Sequence, residues 1–160
     1  MFEEIIRALT HADIRFVVIG GVAATVQGSA RFTNDIDICY DTAAENVDRL
    51  VTLLRSWNAY LRGVEPGLPF VLDARAFRTT PLMTLTTDVG DIDVLDLVPG
   101  VGDYRDVSAA SERVTIGDVE FQSLGLEALI ASKRAVRRPK DLEQLIELEA
   151  LLDLRRRSRK

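Results

Sequence analysis

Phe16-Val17-Val18-Ile19-Gly20-Gly21 and, thirteen residues on, Asp35-Ile36-Asp37-Ile38-Cys39-Tyr40 are the stretches whose reading decides the fold of this chain. The first is a continuous apolar run, the pattern of a strand buried on both faces, ended by two glycines. The second alternates polar and apolar, so Asp35 and Asp37 project from one face and Ile36 and Ile38 point into a core. Aspartate is disfavoured in strands, and two on one face call for a reason.

One reason is chemical. Side-by-side carboxylates repel unless something positive lies between them, and a hard divalent cation such as Mg²⁺ accepts that arrangement while keeping phosphates as partners. Gly20 and Gly21, between a strand and a short helix over Val22–Val26, let backbone amides approach phosphate oxygens at a helix N-terminus. Together they describe a site for a metal-bound triphosphate. The rival reading is a solvated acid pair on an edge strand with Gly20-Gly21 as a tight turn.

Outward from this centre, Phe2, Ile5, Ile6 and Leu9 recur at helical spacing, which predicts a helix over 2–11. Val47, Leu50, Val51 and Leu54 do the same for about 43–57. Pro66, Gly67 and Pro69 mark a loop, and Phe70-Val71-Leu72 reads as a strand. Met83–Thr86 and Ile92–Leu95 flank a turn at Asp88-Val89-Gly90, and Val114–Ile116 and Val119–Phe121 flank Gly117-Asp118, giving two hairpins. Pro99-Gly100-Val101-Gly102 reads as a loop, and two helices close the chain over about 124–136 and 140–156, broken at Pro139. The fold class is α+β, one mixed sheet flanked by helices, and residues 1–160 suit a single domain.

Composition narrows the setting. A 47% hydrophobic and 28% charged chain has a soluble globular balance, and no apolar run approaches the roughly 18–20 residues of a membrane span. The acidic start Met1-Phe2-Glu3-Glu4 is unlike a secretory signal, and the single Cys39 can form no internal disulfide, so a cytoplasmic location is expected. The net charge of −5 conceals a division: residues 133–160 carry ten Lys/Arg against five Asp/Glu, which leaves −10 on the rest. Half of those basic residues lie in Arg155-Arg156-Arg157-Ser158-Arg159-Lys160, either a solvated helix end or a contact for a polyanion.

With these residues in place the chain resembles the nucleotidyltransferase superfamily, the fold of DNA polymerase beta. The signature is an apolar residue, Gly-Gly or Gly-Ser, a spacer, then Asp-x-Asp or Asp-x-Glu on a strand, here Ile19-Gly20-Gly21 and Asp35-Ile36-Asp37. The resemblance implies a third carboxylate on a later strand, for which Val89-Gly90-Asp91-Ile92-Asp93-Val94-Leu95 is the candidate. Asp91 and Asp93 would share a face. Asp93 is preferred because it lies inside the strand, whereas Asp91 adjoins the Gly90 turn and Asp96 falls on the other face.

More narrowly, the chain is similar to small bacterial proteins grouped with the AbiEii and MenT toxins. That likeness rests on Gly28-Ser29-Ala30-Arg31-Phe32-Thr33-Asn34-Asp35-Ile36-Asp37, Asp91-Ile92-Asp93-Val94-Leu95, Pro99-Gly100 with Tyr104, and Ala131-Ser132-Lys133-Arg134 through Arg138-Pro139-Lys140-Asp141-Leu142. The larger toxins carry a further C-terminal region for which 160 residues leave no room.

The resemblance implies transfer of a nucleoside monophosphate from an NTP to a hydroxyl, with release of pyrophosphate. Asp35, Asp37 and Asp93 would hold two Mg²⁺ ions, or Mn²⁺ in their place. Lys133 would neutralise the triphosphate, and Lys140 or Asp141 would complete or orient the site. A toxin would act on tRNA or a protein and pair with a cognate antitoxin. The rivals are an enzyme acting on a small molecule such as an antibiotic, and a non-catalytic module that binds nucleotide or a partner.

The other candidates are weaker. Arg31 and Thr33 precede the acid pair and would contact phosphate or fix the loop. Ser29 suits a turn, with a hydroxyl within possible reach of phosphate; Tyr104 suits packing or stacking on a base. Lys140 and Asp141 also suit a solvated helix start. His11 ends a helix, Cys39 should be inert, and one His with one Cys excludes a zinc site. Neither a Ser-His-Asp arrangement nor a dinucleotide fingerprint is present.

Overall fold

A computed structural model describes residues 2–65 and 67–159; Met1, Pro66 and Lys160, the last two named above as loop marker and tail residue, lie outside the described residues. The elements run α1 (Phe2–His11), β1 (Phe16–Ile19), α2 (Gly20–Gln27), β2 (Asp35–Tyr40), α3 (Ala44–Ser56), β3 (Tyr60–Leu61), α4 (Ala74–Thr79), β4 (Leu82–Thr87), β5 (Gly90–Leu95), β6 (Leu97–Val98), β7 (Gly102–Asp103), α5 (Tyr104–Ala109), β8 (Ser111–Ile116), β9 (Val119–Leu124), α6 (Leu126–Val136) and α7 (Pro139–Ser158).

Seven strands form one mixed sheet in the order β3-β4-β5-β2-β1-β9-β8. β2 is its middle strand, antiparallel to β1 and parallel to β5. Asp35 and Asp37 therefore do not lie on an edge. Asp37 lies between Ile19 of β1 and Asp93 of β5, and Asp35 is paired with Asp91 of β5, so their positions are set by the sheet. All four residues of β1 are buried, as its unbroken apolar run requires. Ile36, Ile38, Ile92, Val94, Met83 and Leu85 fill the core from three neighbouring strands, alternating with the polar residues of the opposite face. Both edges are blunted: β3 has two residues, and β8 carries Ser111, Glu112 and Arg113.

The segment 62–80 departs from its sequence reading. Phe70-Val71-Leu72 is irregular rather than a strand, with Leu72 buried and Val71 exposed. Pro69 precedes it without an N–H, and Asp73 follows as the N-cap of α4, its side chain accepting from the Ala76 N–H. Three residues between those two signals have no room to extend a ladder, and β3 takes the edge position instead. The six-residue helices α4 and α5 also escape a periodicity search, although α5 opens on a capping box between Asp103 and Asp106. Pro139 is the first residue of α7 rather than a break before it.

Candidate active site

The site is built where β1 ends. Ile19 pairs with Asp37 across the β1–β2 ladder, so the chain leaving β1 passes over that carboxylate. Gly20 turns there with φ +64°, and a Cβ on it would lie 2.0 Å from Asp37 Oδ2. Glycine is needed for both the backbone angle and the space. Gly21 is also close-packed, against Thr33, whose Oγ1 a Cβ would approach to 2.9 Å. α2 begins at Gly20 with no side chain capping it, which leaves its first-turn N–H groups available to an anion.

The parallel β2–β5 register sets Asp35 opposite Asp91 and Asp37 opposite Asp93. Four carboxylates thus form a two-by-two group on one sheet face. Asp91 is part of this group, not a solvated turn residue, because β5 begins at Gly90. The inner pair is more enclosed than the outer: the Asp93 side chain is 21% exposed, those of Asp35 and Asp91 about twice that. Asp37 joins no ion pair among the described residues. Burial first, then the charge and close contact of Asp93, then the charge of Asp35, push its carboxyl up to about 7, while Lys133 pulls the other way.

That shift has a consequence for stability. Below about 4 both folded and unfolded Asp37 are protonated, and between about 4 and 7 only the unfolded chain releases the proton. The metal-free protein should therefore lose stability as pH rises through that window. Thermal midpoints at pH 5.5 and 7.5 in chelator should differ for the wild type and coincide for Asp37→Asn; identical behaviour of the two proteins would contradict the assignment.

Arg62, which no sequence signal singled out, enters this group from the end of β3. Its Nη2 lies 2.8 Å from Asp93 Oδ1, its Nε 3.4 Å from Asp91 Oδ2 and its Nη1 3.6 Å from Asp35 Oδ2. The contacts are close but poorly aligned: Arg62 Nε and Asp93 Oδ1 are buried without a hydrogen-bond partner. The well-formed hydrogen bond of the guanidinium goes from Nη2 to the Leu85 carbonyl, 2.9 Å.

Opposite the acids stands the junction of α6 and α7. Lys133 Nζ donates to Asp141 Oδ1 at 3.1 Å, and Asp141 Oδ2 accepts from the Arg138 N–H and Nε. Asp141 is 1% exposed. Burial works against its charge, but the hydrogen bonds from Arg138 and Lys133 outweigh it and hold the carboxyl below the usual range. Asp141 thus both fixes the first turn of α7 and orients Lys133. Lys140 also lines the cavity and makes no ion pair among the described residues.

The loop over 28–34 closes a third side. Thr33 Oγ1 donates to the Asp35 carbonyl, and Arg31 pairs with Glu143 at 3.2 Å. Ser29 turns away from the cavity: its Oγ donates to Glu147, which also accepts the Ala30 N–H. Phe32, 87% exposed, stands at the cavity mouth. It lay in the quoted segment, but an aromatic residue between Arg31 and Thr33 reads equally as core. Tyr104 is half-buried and outside this cavity, His11 is an exposed helix end, and burial pushes the Cys39 thiol up to about 12.

The cleft has a volume of about 680 Å³ and is lined by the Gly20-Gly21 turn, Asp35, Asp37, Asp93, Arg31, Thr33, Arg62, Lys133, Lys140 and Asp141, with Leu82, Leu95, Val98 and Val136 as an apolar flank. Among the described residues no three carboxylate, imidazole or thiol groups converge as a ready metal cage. The donor set nevertheless fits a hard divalent cation. One guanidinium serves three of the four carboxylates, Asp37 has no ion-pair partner among the described residues, and the buried Asp93 Oδ1 makes no aligned hydrogen bond.

No family model and no curated protein matches the chain. Solved structures do. A lincosamide antibiotic adenylyltransferase with lincomycin bound is 14% identical and superposes with a TM-score of 0.63 over 94% of this chain and 95% of its own. A putative nucleotidyltransferase from Thermotoga maritima is 16% identical, with a TM-score of 0.52 over 98% and 91%. An antigenic nucleotidyltransferase-like protein from Paracoccidioides brasiliensis is 18% identical, with a TM-score of 0.53 over 92% and 72%. At such identities the likeness establishes the architecture: the chain has the nucleotidyltransferase fold, an α+β arrangement with a mixed sheet flanked by helices. Among the described residues no helix is long and apolar enough to cross a membrane.

Proposed function

We propose that the protein is a nucleotidyltransferase that moves a nucleoside monophosphate from an NTP to a hydroxyl group. The observation that carries this reading is the register that sets Asp35 and Asp37 beside Asp91 and Asp93, directly under the Gly20 turn. In this reading Asp35 and Asp37 would hold one divalent cation, and Asp93 would help them hold a second. Mg²⁺ suits these oxygen donors, and Mn²⁺ can substitute. Such ions, when bound, neutralise charge on the triphosphate and on the attacking and leaving oxygens.

The chain's own groups do the rest. The first-turn amides of α2 receive phosphate oxygens, and Lys133, oriented by Asp141, faces the polyphosphate from the other wall. Lys140 adds positive charge at the rim, where Arg31 also stands, paired with Glu143. Asp93 accepts the proton of the acceptor hydroxyl as its oxygen attacks the α-phosphorus and the bond to pyrophosphate breaks. Positioning and charge complementarity account for most of the rate in such chemistry.

For the acceptor we favour a small hydroxyl compound. In the basic C-terminal segment, which could have served tRNA, several cations have partners within the chain. Arg134 pairs with Glu149, Arg156 with Glu127, Arg157 with Asp153, and Arg155 donates to the Gln27 carbonyl. The structural likeness to an adenylyltransferase of lincosamide antibiotics points the same way. A toxin of the AbiEii/MenT type, acting on tRNA or protein and held by an antitoxin, is the second reading. It draws on Lys140, which lines the cavity, and on Arg137 at the α6–α7 junction, neither with an acidic partner among the described residues.

The test is incubation with Mg²⁺ and each labelled NTP, together with bulk tRNA or a panel of small hydroxyl compounds that includes antibiotics. Label on a small compound is the expected result, and label on tRNA or protein would select the second reading. NTP binding with no pyrophosphate release under any condition would overturn both in favour of a binding module.

A further inference from the structure

We infer that Arg62 is the resident counter-cation of the acid cluster and must give up its place for a divalent cation to bind there. The inference rests on the metal-site reading above and adds a competitor built into the chain. Its basis is geometric. The guanidinium lies among Asp35, Asp91 and Asp93, with a different nitrogen nearest each carboxylate. A planar cation in that position holds the carboxylates around itself, and no three acidic groups converge into a cage while it is there.

The same contacts mark it as a displaceable occupant. A guanidinium installed for good would make paired, parallel hydrogen bonds to a carboxylate. Here Nε and Asp93 Oδ1 are buried without aligned partners, and the good hydrogen bond runs to the Leu85 carbonyl, outside the acid group. Arg62 is anchored by its backbone, where its N–H meets the Thr84 carbonyl just beyond the two-residue edge strand β3. Its side chain can therefore turn away without disturbing β2 or β5. The charges also favour exchange: one guanidinium leaves most of the charge of four carboxylates uncompensated, whereas a divalent cation brings twice as much. The protein alone should thus bind the ion weakly, and the ion should enter efficiently with a triphosphate that supplies further oxygen ligands.

The experiment measures metal binding rather than turnover. Free Mn²⁺ is followed by electron paramagnetic resonance on titration into wild type, Arg62→Gln, Arg62→Lys, Asp37→Asn and the Arg62→Gln/Asp37→Asn double variant, all without nucleotide. Arg62→Gln should bind Mn²⁺ about tenfold more tightly, the order expected for removing a partly buried competing charge. Arg62→Lys should remain near wild type. In the wild type, the Arg62 Nε–Hε resonance should shift on addition of diamagnetic Mg²⁺.

Equal or weaker Mn²⁺ binding by Arg62→Gln, with binding still lost in Asp37→Asn, would overturn the role of Arg62 and leave the metal site standing. Unchanged binding when Asp37→Asn is added to Arg62→Gln would overturn the metal site itself. Should Arg62→Gln not fold without metal, the wild-type resonance decides, and an Arg62 signal indifferent to saturating Mg²⁺ refutes the inference.

Discussion

Asp37→Asn is expected to abolish nucleotidyl transfer, by roughly a thousandfold or more, while making the metal-free protein more stable at pH 8. The two effects share a cause. Asp37 sits in the inner, enclosed half of the acid group, without a cationic partner among the described residues and with Asp93 as its register neighbour. Above a pH of about 7 the metal-free fold must carry that charge; asparagine removes it while keeping the shape. The gain should be on the order of 1–3 kcal/mol, below what the full shift would give because solvent and neighbouring groups relax around the site. Urea denaturation in chelator at pH 8 measures it, and labelled-NTP turnover measures the loss. An inactive but destabilised variant would identify Asp37 as a structural residue, and an active one would remove it from the site.

Gly20→Ala should produce the second largest effect. The methyl group meets two obstacles: a backbone at φ +64°, and Asp37 Oδ2 at 2.0 Å from where the Cβ would stand. We expect a loss of about 2–4 kcal/mol of stability and at least a hundredfold loss of NTP binding, because the acid cannot move without leaving the cluster. Gly117→Ala is the control. Gly117 has φ +62° and nothing within 4 Å of the added carbon, so it carries only the backbone cost of about 1 kcal/mol. Urea midpoints of the two variants separate crowding from strain. Equal midpoints and intact NTP binding would show that Asp37 tolerates displacement.

These predictions concern residues that local pattern made visible. Alternation placed Asp35 and Asp37 on one face, and the glycines at the end of an apolar strand marked where a backbone approaches closely. The third carboxylate was half legible. Period-two alternation put Asp91 and Asp93 on one face of a hairpin, but that β5 lies parallel to β2, in a register matching 37 with 93, is a long-range pairing that no local signal specifies. Arg62 was not legible at all. It reaches the acids because β3 and β4 extend the sheet beyond β5, and a two-residue strand leaves no periodicity to detect. The partners of the basic segment were hidden for the same reason. Counted along the chain it is a run of free charge, whereas Arg134 meets Glu149 across the α6–α7 pair and Arg156 meets Glu127. Phe70-Val71-Leu72 has strand-forming residues but no strand to pair with, and pairing decides.

The loop over 28–34 is fastened by Glu147 and Glu143 of α7, more than a hundred residues downstream. Translation therefore imposes an order on the site. The acid pair and the glycine turn leave the ribosome first and wait, while more than a hundred further residues are made, for the helix that secures the 28–34 loop and supplies Asp141 to hold Lys133. A nascent chain carries carboxylates without their opposing wall, and competence for a triphosphate arrives late, when α7 docks. Synthesis itself is a timer on this site.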